Sequence, residues 1–261
     1  MSEVRQRWRL VFRRGEEARF LAHLDAVKLW ERAFRRGRIP IATTEGFNPR
    51  PRLIFAAPLP LGMLGERELA DLFLSERLTL PDLRGRLRRD LPRGYELVDL
   101  EDAWVGAPSL ASRLVAADYR LTVGGAAPAA LAAAADGLLG AERLERARQR
   151  ETKAVAYDLR PLIERIAVEE PDASARPDVP GSARAGLWMR LRHRQEGGIG
   201  RAEEVLTALA ERLPAAGPPL EILVAVRERL WLAGEAPQAG PGRDDPGSLP
   251  AARPAPIEID A

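Results

Sequence analysis

Hydrophobic and polar positions alternate in the first patterned stretch, RWRLVFRR, where Trp8, Leu10 and Phe12 stand between arginines. A period of two predicts a strand with one face buried. The period then lengthens. Between Ala22 and Arg36, Val27, Trp30, Ala33 and Phe34 share one face of a helix, and Asp25, Lys28, Arg32 and Arg36 share the other. That pattern predicts an amphipathic helix, closed by Gly37 as its C-terminal cap. Strands over residues 39–43 and 53–57, an extended stretch over 68–75, a helix over 81–91 entered through Pro81 and a strand over 95–99 complete the first half. The order β-α-β-β-α-β is that of a ferredoxin-like sandwich.

A similar order starts again at Tyr119–Val123, whose YRLTV echoes WRLVF at Trp8–Phe12. A helix is expected over 128–139, strands over 143–148, 155–157 and 186–194, a helix over 201–213 and a strand within 221–232. The reading is therefore an α+β chain of tandem ferredoxin-like (βαββαβ) domains with antiparallel sheets, over residues 1–106 and 107–234, with a long loop at 171–186. From residue 235 proline, glycine and alanine dominate without apolar periodicity, which predicts a disordered tail over 235–261.

Composition narrows the chemistry. The 261 residues include no cysteine and only two histidines, His23 and His193. Disulfides, thiolate zinc sites and an iron–sulfur cluster of the chain's own are excluded, and no cofactor or metal site is expected. No apolar run reaches the roughly 18 residues of a membrane span, and the N-terminus shows no signal-peptide pattern, so a cytoplasmic protein without membrane contact is expected. The formal charge is only +2, yet residues 1–60 hold 13 basic against 6 acidic side chains. That clustering points toward an anionic partner.

The loop EGFNPRPRLIF, Glu45 to Phe55, lies in this basic third. Gly46 tolerates a positive φ, and Pro49 and Pro51 stiffen the chain and push Asn48 and Arg50 toward extended conformations. Asn48, Arg50 and Arg52 are then expected on one side with the prolines opposite.

Over Phe20 to Met63 the sequence resembles a bacterial family of radical-SAM-associated proteins of unsettled function. The pattern Phe-Leu-small-His-Leu-Asp is met by Phe20, Leu21, Ala22, His23, Leu24 and Asp25, followed by a helix with a basic end at Arg36. Glu-Gly-Phe-Asn-Pro-x-Pro is met by residues 45–51, and Leu-Pro-x-Gly by Leu59, Pro60 and Gly62. Weaker likenesses extend to YDLRPLI, Tyr157–Ile163, and EGGIGRAEEVL, where Arg201-Ala202 stands in place of the family's usual Arg-Pro. The resemblance implies an accessory to radical chemistry beside a cobalamin-binding radical-SAM protein, acting on RNA or the translation machinery, and it supplies no catalytic residue.

Three functions follow, in order of preference. The first is a non-catalytic accessory module that binds RNA and a radical-SAM partner through Lys28, Arg32, Arg36, Glu45, Phe47, Asn48, Arg50 and Arg52. The second is a protein–protein adaptor without RNA contact. The third is a metal-independent RNA endonuclease using His23, with Glu45 or an arginine as its second group. For His23 a backbone-bonded role at the buried edge of the helix start is favoured over catalysis. Asp25 is expected to favour the helix dipole or pair with Lys28 and Arg32. Phe47 is expected to plug the sheet end in preference to stacking on a base. The glycine turn at 196–200 is read as a plain connection in preference to a phosphate cradle, and His193 as a core-edge residue.

Overall fold

The structure is a computed structural model, and it describes residues 3–47, 49–150, 153–169, 184–194, 198–215 and 217–235. In the first half, strand β1 (Gln6–Arg14) leads to helix α1 (His23–Arg36). Strands β2 (Leu53–Phe55) and β3 (Leu64–Leu74), helix α2 (Leu80–Asp90) and strand β4 (Tyr95–Ala103) follow. The strand order β4-β1-β3-β2, antiparallel at every step, is the ferredoxin-like arrangement. Trp8, Leu10 and Phe12 of β1 pack with Trp30 and Phe34 of α1 and with Leu83 and Leu87 of α2 in one core. Trp30 lies edge-on to Phe12 and Tyr95, which adds to the area it buries.

A short helix α3 (Leu110–Arg113) opens the second half, followed by β5 (Leu114–Gly124) and α4 (Pro128–Leu139). Then come β6 (Glu145–Arg150), β7 (Lys153–Asp158), β8 (Ile163–Glu169), β9 (Arg184–Arg194), β10 (Gly198–Ile199), α5 (Ala202–Ala210) and β11 (Glu221–Leu232). The order β11-β5-β9-β8, again antiparallel throughout, repeats the first half's topology. The fold is thus α+β with a mainly antiparallel sheet. Among the described residues no helix is long and apolar enough to cross a membrane.

Two expectations need correction. Residues 39–43 form no strand, only isolated bridges at Ile41 and Thr43; Pro40 has no N–H to donate and Arg38 sits at φ +49°. Gly37 is the C-terminal cap of α1, as expected, with its N–H on the Ala33 carbonyl at 2.9 Å; the left-handed position that follows falls on Arg38, and the Ile39 N–H bonds to the Phe34 carbonyl at 3.0 Å. In the second half, β6 and β7 do not join the main sheet. They form their own two-stranded ribbon, and the strand beside β9 is β8, at residues where no strand was expected. Residues 171–183 and the tail from 236 lie outside the described residues.

The two halves share one sheet because β3 has two partners on the same edge. β2 pairs with Ala70–Leu72, and β11 pairs in parallel with Leu64 and Gly65. Where the edge changes partner, the carbonyls of Ala57 and Pro58 receive hydrogen bonds from Arg227 of β11, at 3.1 and 3.2 Å. The same guanidinium makes a two-pronged ion pair with Glu68 of β3, at 2.8 and 2.5 Å. Both side chains are almost wholly buried. Val11 and Leu69, on the reverse face of the first half, belong to the second half's core.

Other arginines hold connections in a similar way. Arg7, paired with Asp71, donates to the carbonyls of Ala107 at 2.5 Å and Pro108 at 3.0 Å, pinning the link between the halves. Arg14 donates to the carbonyls of Ala18, Arg19 and Leu21 at 2.8–2.9 Å and so sets the entry to α1. Replacing it, Arg14→Met, leaves the Leu21 carbonyl without a donor and the Ala18 and Arg19 carbonyls with one each, from the Leu21 and Gly62 N–H groups, and is expected to cost about 1–3 kcal/mol. Urea unfolding checks this: the midpoint should fall with the slope unchanged.

Candidate functional site

The outer face of the first half's helix layer carries the predicted basic stripe. Lys28, Arg32, Arg35 and Arg36 are exposed along α1. Lys28 pairs with Asp25 at 3.6 Å, as one of the expected roles of Asp25 required. Arg36 donates to the carbonyl of Asp90 at 3.0 Å, and Arg86 of α2 donates to the carbonyl of Arg38 at 2.6 Å, so the two helices are tied where α1 ends. Exposed Arg88 and Arg89 of α2 extend the basic surface, although Arg89 is paired with Asp90 at 2.8 Å. Arg32, Arg35, Arg38, Arg50 and Arg88 have no ion-pair partner among the described residues. The α2 arginines were missed from sequence because each reads as an ordinary solvated position until α2 is laid beside α1.

The 43–52 loop leaves the sheet at the end where α1 finishes. Thr44 and Arg50 hold it closed: the Thr44 N–H donates to the Arg50 carbonyl at 2.8 Å, and the Arg50 N–H to the Thr44 hydroxyl at 3.0 Å. Arg52 lies over the ring of Phe73 at 4.4 Å, so its charge is held against the sheet while Arg50 projects outward and exposed. Asn48 lies outside the described residues, which leaves the one-sided arrangement of Asn48, Arg50 and Arg52 without its first member. Phe47 is fully exposed at the loop tip. The favoured expectation of a plug is therefore wrong, because the stiff loop carries the ring away from the sheet end.

His23 is also more open than expected. It is exposed at the first position of α1 and meets the Phe55 ring edge-on at 5.5 Å. Among the described residues it has no hydrogen-bond or ion-pair partner. It lines a cavity of about 20 Å³ shared with Arg14, Glu68 and Tyr95; Glu45 lies with the loop at the other end of α1 and is not part of that lining.

A larger feature lies between the halves. A cleft of about 570 Å³ is walled on one side by residues 57–60 with Met63, and on the other by Tyr119, His193 and the start of α5. Its floor is Arg227, whose cross-strand neighbour on β5 is Tyr119. Burial alone would lower the Arg227 pKa, but Glu68 and Tyr119 more than offset it and hold the guanidinium charged. Tyr119 is buried and its phenol pKa is raised by that burial. His193 falls on the strand face of Leu187, Met189 and Leu191, as its position in the alternation predicts, and its Nε2 is buried with no hydrogen-bond partner among the described residues. Burial, reinforced by Arg227, depresses its pKa to about 4, so the imidazole is neutral at physiological pH.

The connection into α5 is shaped by Gly200, where a Cβ would stand 2.9 Å from Leu191 Cβ and 3.2 Å from the Leu162 carbonyl. Helix α5 begins with no side-chain cap among the described residues, and its first residues, Ala202, Glu203 and Glu204, line the cleft. Residues 195–197, part of the expected glycine turn, lie outside the described residues. The YDLRPLI stretch is structural: the Asp158 carboxylate accepts from the Leu144 and Arg160 N–H groups, and Arg160 donates to the carbonyls of Leu139 and Ile163. Among the described residues no group of three or more histidines and carboxylates could hold a metal ion.

The family model described as "Uncharacterized protein conserved in bacteria (DUF2344)" matches residues 7–197, most of the chain. No curated protein matches. Among solved structures, a chain in a crystal structure of a Cbf5-Nop10-Gar1 complex aligns at 6% identity with a TM-score of 0.44. That alignment covers 85% of this chain and 49% of the other, so this chain spans about half the length of that relative. A crystal structure of an unknown protein from Galdieria sulphuraria aligns at 14% identity with a TM-score of 0.23, covering 79% of this chain and 91% of that one.

The neutral imidazole in the cleft wall makes stability depend on pH. The folded-state pKa of His193, about 4, lies below the ordinary value of 6.5, so the unfolded chain takes up the proton first. The stability associated with the neutral form is complete above about pH 6.5 and is lost as pH falls toward 4, by about 3 kcal/mol in all. His193→Phe should flatten the difference in urea midpoint between pH 7 and pH 4.5, relative to wild type. An unchanged pH dependence would contradict the assignment.

Proposed function

The chain belongs to this uncharacterized bacterial family, and we propose that it is a non-catalytic accessory module that presents RNA to a radical-SAM partner of the cobalamin-binding type. RNA binds along the arginine surface shared by α1, α2 and the 43–52 loop. The observation that carries this reading is the division of the arginines. Arg7 and Arg14 are consumed inside the fold, yet among the described residues Arg32, Arg35, Arg38, Arg50 and Arg88 have no carboxylate partner in one helix layer and its adjoining loop. Unneutralised guanidinium groups so grouped suit a phosphate backbone, and the fully exposed ring of Phe47 beside them suits an unstacked base. The resemblance over Phe20–Met63 supplies the radical-SAM partner, and a chain without cysteine leaves the iron–sulfur cluster to that partner.

The adaptor reading is favoured by a separate feature. Phe20 and Leu61, 70% and 66% exposed, flank the Gly62 turn that is bonded to Arg19, and Leu24 is equally open. The nuclease reading has the least support, since among the described residues no acid or cation is bonded to His23.

Fluorescence anisotropy with single-stranded RNA over a salt series separates the readings. The triple variant Arg32→Ala, Arg35→Ala, Arg50→Ala should bind more weakly on every sequence and lower the salt slope by about two units, at about 0.7 for each phosphate that is no longer neutralised. Binding to the partner should survive in that variant. No RNA binding by wild type at low salt, with the partner still retained, would leave the adaptor in its place.

A further inference from the structure

The cleft between the halves differs in electrostatic character from the arginine surface. Arg227 is neutralised by Glu68, and Glu204 is held by Arg148 at 2.6 Å. Arg201 and Glu203, of opposite sign, are the remaining charges in the lining and have no ion-pair partner among the described residues. The cleft is thus close to neutral and poorly suited to a phosphate. What it offers is a set of polar groups without hydrogen-bond or ion-pair partners among the described residues, set against an apolar wall: the buried Nε2 of a neutral His193, the start of α5, which has no side-chain cap, and the Glu203 carboxylate, opposite Pro60 and Met63. Its volume, about 570 Å³, falls in the range of small-molecule sites.

A nucleobase has the matching chemistry: an uncharged ring with a flat face and adjacent donors and acceptors on its edge. The placement agrees. Ala57 and Leu59 line both the cleft and the small cavity that contains His23, so the start of α1 lies directly behind the cleft wall. From there the 14 residues of α1 run about 21 Å to the basic end at Arg35 and Arg36. A strand with its phosphates along Lys28, Arg32 and Arg36 is therefore directed at the cleft, and exposed Phe20 and Leu61 flank the loop that forms its wall.

We infer that the cleft is a nucleobase-binding site that receives one unpaired base of an RNA strand held along α1. This rests on the RNA-binding reading above and assigns it a recognition pocket. His193 and the start of α5 read the edge of the base, and Pro60 and Met63 cover its face.

The test uses the full chain, short single-stranded RNAs carrying one abasic position at a time, and free nucleosides, which have no phosphate for the arginines to hold. Ile199, 44% exposed at the cleft wall, is replaced by tryptophan to fill the cleft; Glu203→Gln is the second variant should Ile199→Trp fail to fold. One or two abasic positions are expected to weaken binding about tenfold or more, and Ile199→Trp should erase that dependence with the salt slope unchanged. Free nucleosides should show saturation-transfer signals with wild type that are absent in Ile199→Trp. If wild type binds the strands but every abasic position is equivalent and the cleft variants are silent, the nucleobase site is overturned while the RNA reading stands. If wild type binds no strand, the RNA reading falls. The cleft is then judged on the nucleosides: binding sensitive to Ile199→Trp supports it, and no binding overturns it.

Discussion

Arg227 and Glu68 meet in the one place where the sheet's edge has to change partner, and the arrangement of both halves follows from that pair. β3 offers one edge to β2 and, a few residues away, the same edge to β11. Between them the chain turns out of the sheet at Ala57 and Pro58, and their carbonyls would lack donors there. A guanidinium has enough N–H groups in one plane to serve both carbonyls and a carboxylate at once. The pair need not be more stable than a well-packed apolar alternative. Its effect is positional: no other register of β11 brings Arg227 to Glu68 and to the loop together. The cleft inherits that register, because Tyr119 lies across from Arg227, and the 57–60 wall hangs from the same guanidinium.

The arginine-rich composition divides into two populations. Arg7, Arg14, Arg160 and Arg227 each collect carbonyls where the chain leaves a strand or helix, a task a lysine's point charge performs less well. In the second half Arg190 is paired with Asp118, which also accepts from Trp231 Nε1 at 2.9 Å, and the guanidinium lies over the Trp231 ring. Arg32, Arg35, Arg38 and Arg88 of the first half's helix layer, with Arg50 of the adjoining loop, have no ion-pair partner among the described residues. Charge counted along the sequence therefore overstates what is free to meet a ligand, and the structure identifies the residues that are free.

β1, α1, α2, α4 and β11 were legible from residue spacing, although the pairing of β1 and β11 also shifts register. β8 was not. Its pairing with β9 shifts between Ile163 and Arg165, and that irregularity breaks the alternation that would have placed Ile163, Ile166 and Val168 on a strand. β6 and β7 do read as strands, but nothing local says that they pair only with each other. The basic stripe of α1 and the strand face of His193 were readable because each lies within one element. The cleft was not, since Glu68 and Arg227 are separated by 159 positions and each alone reads as a surface charge. Full exposure of Phe47 was equally hidden, because an aromatic residue in a stiff loop fits a plug as well as a platform.

If Glu68 and Arg227 act as one unit joining the halves, a double-mutant cycle will show it. Urea unfolding would be followed for wild type, Glu68→Gln, Arg227→Met and the double variant. Each single substitution is expected to cost about 3–5 kcal/mol by leaving a buried group without its partner, and the double variant much less than their sum. Strictly additive losses, or single variants that unfold like wild type, would contradict the account.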